Sequence, residues 1–593
     1  MAQITSTSEQ RTFVIGRWLG VNENPDGDTK LKLGEAAEMR NWKITRDGHL
    51  QIRPGYGECV SLGTTPVLGL WSGFIGGVKR LIASCGGKLF SIDTTAKTKT
   101  ELGAVVGERA HFFGFSEKLY LLTGSKYYVY DGTTLSEVSG YRPLVSVSNP
   151  PVGGGAALEQ VNKLCGARRA WFSPDGTATT FQLPEKVLSS VDYVKKTSDG
   201  SAVSFTADLV AGIVTLTPAL PVGTNSIEIG WSVTGSLRSL VEQMRFSETF
   251  NGAADTRIFL YGDGTNRAIY SGIDHDGRPN AEYFPDLNVM SVDSANTPIT
   301  SMIRHYDSLL TFKSDGAFVT QYGAMTLPDG KTTAAFYTVA ANREIGNAAP
   351  GQARLVKNNP LTLFGRSVYE WQLGSFGAKD ERNAKSKSDR ASNTLSGMSL
   401  PDAICFDDEY NSEYWVCQNG RALIFNYTAD AWYGYTNIPA SCFVSIDGKL
   451  FFGTANGKLM QFSRQFRNDA GADIHAYWVS GAMDFSRDFR LKYASDLWLT
   501  MKPESGARLT VSAQSNRSSD YADKVVASNL SSFSHVDFKH FSFRTNRQPQ
   551  VERIRLKVKK FAFYRLVLES VSKSSTATVL GMDIKVRYAG NVK

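Results

Sequence analysis

Long apolar runs are missing from this chain: no window approaches the roughly eighteen consecutive apolar residues that a membrane-spanning helix needs, so no membrane span is expected. Cysteine is scarce. Six are dispersed, at Cys59, Cys85, Cys165, Cys405, Cys417 and Cys442, with no CxxC pair and no histidine at metal-ligand spacing, which speaks against a zinc centre or a disulfide framework. Several sit inside apolar strand patterns, as in Ile82-Ala-Ser-Cys85 and Trp415-Val-Cys417, and read as small core hydrophobes of a protein made in a reducing cytosol. A strong charge of one sign is lacking too, since 65 basic residues face 57 acidic ones and leave a dispersed net charge of +8. Dedicated nucleic-acid readers concentrate their cations on one domain, so that class is not indicated. The opening Met1 to Gln10 is polar with no apolar core segment, from which no secretion signal is expected.

What is present points to β structure. Aromatic residues make up 11% of the chain and glycines number 54, a composition suited to many short strands joined by tight turns. At 593 residues the chain exceeds one hydrophobic core, and two to four domains are expected. From Leu68 onward a unit recurs in which an apolar strand, a glycine-containing turn and a second strand end near Tyr, Phe or Asp. Arg80 to Asp93 and Lys118 to Asp131 are the clearest copies; others run over Arg257 to Ile273, Ser308 to Tyr322, Leu361 to Trp371, Glu413 to Tyr427 and Gly448 to Phe462. Seven such hairpins predict the cores of β-propeller blades.

The series is interrupted over 145–236 by short strands between Pro, Gly and Asn turns, which predict an inserted small β-sandwich. After Phe462 longer strands with charged outer faces predict a C-terminal β-sandwich or jelly-roll-like domain over 466–593. Its basic run Arg553 to Lys560 alternates polar and apolar residues and reads first as a half-exposed strand. The expected organisation is thus an N-terminal arm and motif at 1–57, a propeller over 58–144 and 237–465, the insertion at 145–236 and the C-terminal domain. The most hydrophilic stretch, Lys379 to Arg390, reads as a loop.

Motifs for chemistry are weak. The seven histidines include His49, His111, His305 and His475 within strand-like patterns, none in a recognisable triad setting. Ser173-Pro-Asp175-Gly176 approaches the Asp-box of sialidase-type propellers, but its glycine is displaced and the closing tryptophan is missing, so it reads as an Asp-Gly turn. Asp274-His-Asp276-Gly277 lacks the later ligands of a calcium loop. Gly153-Gly-Gly155 and Gly262-Asp-Gly264 lack the strand-then-helix context of phosphate loops. Aromatic stretches at Tyr410 to Trp415 and Ala431 to Tyr435 suit packing between blades better than sugar stacking. No catalytic residue, cofactor or metal is expected, although a glycosidase's paired carboxylates would come from distant blades and escape sequence inspection.

The N-terminal block is more specific. Trp18-Leu-Gly-Val-Asn22, Gly34-Glu35-Ala36, Asn41-Trp42, Gly48-x-Leu50 and Arg53-Pro54-Gly55 resemble the opening of the tail-hub proteins of short-tailed bacteriophages, also called nozzle or packaged-DNA stabilisation proteins. The resemblance implies a virion protein made in the host bacterial cytoplasm, a hexameric homo-oligomeric ring beneath the portal and adaptor that retains packaged DNA, touches it without sequence preference and conducts it at ejection. Tail fibres or tailspikes are the implied further partners. It makes Trp18, Asn22, Gly34, Glu35, Asn41, Trp42, Arg53, Pro54 and Gly55 candidate assembly contacts, and Phe13 to Gly57 a candidate closing strand or adaptor contact. Lys379, Arg382, Lys385, Lys387 and Arg390 are candidates for a loop lining the channel. A receptor- or glycan-binding tail protein and a glycan-degrading propeller are the alternatives.

Overall fold

Strands from early and late in the described residues are built into shared sheets, and the first strands show how. In a computed structural model that describes residues 9–23, 31–252, 255–326, 332–372, 383–518, 523–527 and 548–592, six short strands precede the first repeat. They are β1 (Gln10–Ile15), β2 (Gly20–Val21), β3 (Glu35–Arg40), β4 (Trp42–Ile44), β5 (Leu50–Ile52) and β6 (Gly55–Ser61). Four of them pair far along the chain: β1 and β5 lie antiparallel to Thr578–Asn591, β3 pairs with Ile474–Ser480, and β6 pairs with Lys458–Ser463, while β2 and β4 pair with their neighbours β3 and β5.

Most of the chain between 67 and 463 forms seven four-stranded meanders. Their first strands are Val67–Ile75, His111–Phe115, Phe246–Gly252, Ile299–His305, Arg354–Val356, Ile404–Asp408 and Ala440–Ile446. In each unit the two middle strands are the hairpin expected from the sequence. Val78–Cys85 with Lys88–Asp93 and Lys449–Thr454 with Lys458–Ser463 are examples. Their tightness has a backbone cause: Gly86 and Gly87 have φ of 61° and 73°, the left-handed pair that a two-residue hairpin turn requires. Six units complete themselves locally, whereas the seventh takes its fourth strand from β6. A segment starting at the motif glycine Gly55 thus supplies the closing strand expected of the N-terminal block.

First strands contact each other in sequence order, and the seventh returns to the first. The apolar cores lie between neighbouring units. Ile82 and Leu89 of the first unit pack with Leu119 and Tyr130 of the second, Ile258 and Leu260 of the third with Leu122 and Tyr127 of the second, and Val67 and Leu81 of the first with Phe451 and Leu459 of the seventh. Each unit buries one face against its predecessor and one against its successor, so both faces of its middle strands are apolar.

Between the second and third units, strands from Leu144–Asn149 to Ile227–Ser232 form a five-stranded and a three-stranded sheet over a core that includes Phe172, Phe181, Val214 and Trp231. The insertion is pinned at its base. The buried Lys163 donates its Nζ hydrogens to the carbonyls of Pro285 and Asp286, and Asn162 bridges the carbonyls of Tyr141 and Glu282.

The C-terminal strands make two sheets facing a common core of Leu497, Leu499, Val511, Leu566, Leu568 and Ile584. One sheet contains β4, β5, Thr578–Asn591, Arg490–Met501 and Gln550–Phe561, with β1 on its side. The other runs β3, Ile474–Ser480, Tyr564–Ser572, Arg508–Ser515 and Lys524–Ala527. Through β3, which touches Ala431–Ile438 in parallel at Arg40 and Gly434, this sheet continues into the sixth meander. The expectation of a sandwich confined to 466–593 therefore needs amendment: β1 to β5 are members of it, because long-range pairing leaves no local periodicity for a boundary to follow.

Candidate functional site

The motif residues gather where the sixth meander meets the sandwich, and their side chains face inward. Trp18 and Trp42 are fully buried, and Trp18 meets the edge of Trp478 at 4.9 Å. Gly34 has φ of 93°, and a β-carbon there would lie 2.3 Å from the Arg17 carbonyl oxygen. Glu35, 3% exposed, accepts hydrogen bonds from the Asn22 side chain and the Lys32 amide, with the Arg390 guanidinium 3.9 Å away. Asn41, at φ of 57°, uses its whole amide: Oδ1 accepts from Arg53 Nε and the Thr436 amide, while Nδ2 donates to Thr436 Oγ1 and the His475 carbonyl.

Arg53 is the centre of this cluster. Its guanidinium donates to both carboxylate oxygens of Asp469 at 2.8 and 2.5 Å, to Asn41, and to the carbonyls of Pro54 and Thr436. All five donors are used, and neither charged side chain reaches solvent. Burial, and next the nearby Asp469 carboxylate, push the Tyr56 phenol up to about 12. Gly55 is needed for proximity, since a β-carbon there would fall 2.1 Å from the Asn468 carbonyl oxygen. The nine motif residues thus share one neighbourhood, and within a single chain most of them join its parts and do not present a surface.

The polar run divides. Lys379 and Arg382 lie outside the described residues. Lys385 is on Ala384–Ser386, the fourth strand of the fifth unit. Lys387 pairs with Glu370 at 3.1 Å and its carbonyl accepts from the Trp432 indole. Arg390 accepts the Glu23 amide on its carbonyl, so this run and the motif meet.

A second locus was not legible in sequence. A cavity of about 570 Å³ opens among the first strands of six of the seven units. Its polar lining includes Glu108, Arg109, His111, Thr123, Arg245, Gln352 and Arg354, and its apolar lining includes Leu68, Phe112, Phe246, Phe406 and Phe443. These residues come from six units spread from Leu68 to Phe443, which is why no motif announces them. Arg354 is held by the carbonyls of Cys405, Gly351 and Ala353 and by Gln352 Oε1, without a carboxylate. Burial, then the positive charge of Arg354 and that of Arg109, lower the His111 imidazole to about 4, against the opposing hydrogen bond from Ser247. Its Nε2 accepts from the Ser247 amide at 3.2 Å and lies 2.9 Å from Ser247 Oγ. This Ser–His contact is a poor hydrolytic pair: the amide already occupies the basic lone pair, and no carboxylate orients the ring among the described residues. On the adjoining residue, Glu248 is pushed up to about 7 by burial, against hydrogen bonds from the Arg304 and Thr249 amides.

The outer face of the sandwich is basic. Strand Gln550–Phe561 alternates as its sequence predicts and exposes Arg553, Arg555, Lys557 and Lys559. In register beside them, Arg553 lies over Trp498 at 5.9 Å and Arg587 over Tyr493 at 4.9 Å, with Asp496 paired to Arg553. The weaker sequence motifs resolve as turns: Asp175 caps the Thr177 and Ala178 amides, and Asp274 those of Asp276 and Arg278. Among the described residues no group of three or more His, Cys, Asp or Glu is placed to hold a metal ion.

No family model matches the chain, and no curated protein does. Among solved structures it is similar to the computationally designed Ika8 protein at 9% identity, over 68% of this chain and 99% of that one, with a TM-score of 0.33. It is also similar to a chain of the mitotic checkpoint complex at 9% identity, over 68% and 96% of the two chains, with a TM-score of 0.30. Likenesses of this size transfer neither a family nor an activity.

Proposed function

We propose that this chain is a structural subunit of a bacteriophage tail, a hub or nozzle protein whose seven meanders close as a β-propeller and whose copies form a ring that retains and conducts packaged DNA. The observation that supports it best is the N-terminal block. The residues that carry the family resemblance occupy one cluster that ties the first sixty residues, the sixth and seventh meanders and the C-terminal sandwich together. A channel under pressure from packaged DNA calls for domains that do not shift against one another, and a shared sheet with a buried ion pair provides that. Cyclic contact among the first strands supports the propeller. The exposed Arg553, Arg555, Lys557 and Lys559 supply cations of the kind that neutralise backbone phosphates without reading bases.

Identical subunits around an axis need only one repeated interface, and closure multiplies its effect. The test is electron microscopy of the purified full chain with its neighbouring adaptor. A ring with a central channel is expected, and its loss on deletion of Met1 to Gly57. A monomer that ignores the adaptor but binds cells or glycans overturns the reading in favour of a receptor-binding tail protein.

A further inference from the structure

We propose that the cavity among the first strands is a binding site for a phosphate group, held by Arg109, Arg245 and Arg354, with room for a flat apolar group attached to it. The site lies within one chain and is independent of the hub reading.

Three guanidiniums line this cavity, and none forms an ion pair among the described residues. The lining carries a single carboxylate, Glu108, which accepts from Ser125 Oγ at 3.0 Å. Arg354 spends four donors on carbonyls and Gln352, which fixes its plane and leaves one Nη2 hydrogen unspent. Arg109 makes no hydrogen bond among the described residues, and its charge is crowded by protein and by Arg354, which lowers its affinity for its own proton. Arg245 packs its stem against Gly124 and has no hydrogen-bonding partner among the described residues. A fixed guanidinium and two unspent ones match the tetrahedral oxygens of a phosphate, which the planar fork binds in pairs.

By contrast Arg53, Arg168 and Arg169 each have a carboxylate, Asp469, Glu185 and Glu228. The three cavity arginines have none in ion-pair contact among the described residues, and a bound anion supplies that charge. Its volume of about 570 Å³ falls within the size of small-molecule sites, far beyond one phosphate. Phe246, Phe406 and Phe443 line the remainder, which suits an aromatic or other flat substituent.

The test is thermal unfolding of the full chain at constant ionic strength, with sodium phosphate or phenyl phosphate replacing sodium chloride. A ligand that binds only the folded state raises Tm with concentration. Wild type is expected to gain Tm in phosphate over chloride, with Arg109→Gln needing at least about tenfold more phosphate for the same gain. Stronger protection by phenyl phosphate identifies a phosphate monoester as the ligand class, and equal protection identifies inorganic phosphate. Equal Tm in phosphate and chloride, or equal protection of wild type and Arg109→Gln, overturns the proposal. A second readout needs no variant: the His111 titration, followed by NMR in selectively labelled protein, is expected to move up from about 4 when phosphate is present. An unmoved His111 titration overturns the proposal as well.

Discussion

Two arginine sites in this molecule have opposite designs. Arg53 is sealed from solvent with every donor satisfied and a carboxylate across from it, and the strands around it come from both chain ends. Arg109 lines a cavity and has no ion-pair partner among the described residues. The first arrangement costs desolvation and returns geometry, since a bidentate pair fixes how the sandwich meets the seventh meander. The second leaves charge uncompensated where a partner can arrive. The inventory of its acceptors therefore separates an arginine's structural role from a binding one.

Removing Asp469 should produce the largest effect. Asp469→Ala strands the Arg53 charge in the interior and is expected to destabilise by about 3–5 kcal/mol, read as a lower denaturant midpoint for the transition that includes the sandwich. A variant as stable as wild type breaks the comparison.

Acid offers the next contrast, because the cavity side is charged and the Arg53 side is neutralised. Below pH 6.5 the unfolded chain protonates the histidine at position 111 while the folded state resists until about pH 4, so its contribution to stability falls across that window by about 3 kcal/mol. Glu248 acts oppositely. Its folded carboxyl takes up a proton near pH 7, before the unfolded one does near 4.5, so its contribution to stability rises as pH falls between those values. His111→Asn should accordingly gain on wild type as pH falls from 6.5 to 4, and Glu248→Gln should lose its advantage from pH 7 to 4.5, both followed by Tm. Parallel curves for His111→Asn and wild type remove the claim that the cavity repels protons.

Gly34→Ala tests how tightly the motif is packed. The backbone at φ of 93° and the Arg17 carbonyl at 2.3 Å leave no room, and a loss of about 1–3 kcal/mol in unfolding free energy is expected. The smallest effect belongs to Arg109→Gln without ligand, for which Tm should hold or rise, since a repulsion with Arg354 disappears. A loss comparable to that of Asp469→Ala would put Arg109 in the same structural class as Arg53.

The seven hairpins were legible because local turns and alternation encode them, as Gly86-Gly87 between two apolar strands illustrates. The strand character of the Arg553 run was legible for the same reason. Pairings across hundreds of residues were not: nothing in Gln10–Ile15 announces that Phe13 will lie opposite Ile584, nor that Gly55–Ser61 belongs to the seventh unit. The motif residues were visible as a pattern, but their inward orientation depends on Asp469 and Trp478, which are far away in sequence. The cavity arginines were invisible, because they sit singly at three separate strands and meet only after those strands are arranged.

The pairing of β1 with Thr578–Asn591 also sets a schedule. β1 must wait for its partner, and at roughly 5–20 residues per second that wait lasts about half a minute to two minutes on the ribosome. Six meanders can form as they emerge, but the seventh stays one strand short until Lys458–Ser463 is available to meet β6. The sandwich stays unfinished until Thr578–Asn591 is made. Any interface that depends on the finished sandwich is therefore withheld from chains in which Thr578–Asn591 has yet to be made.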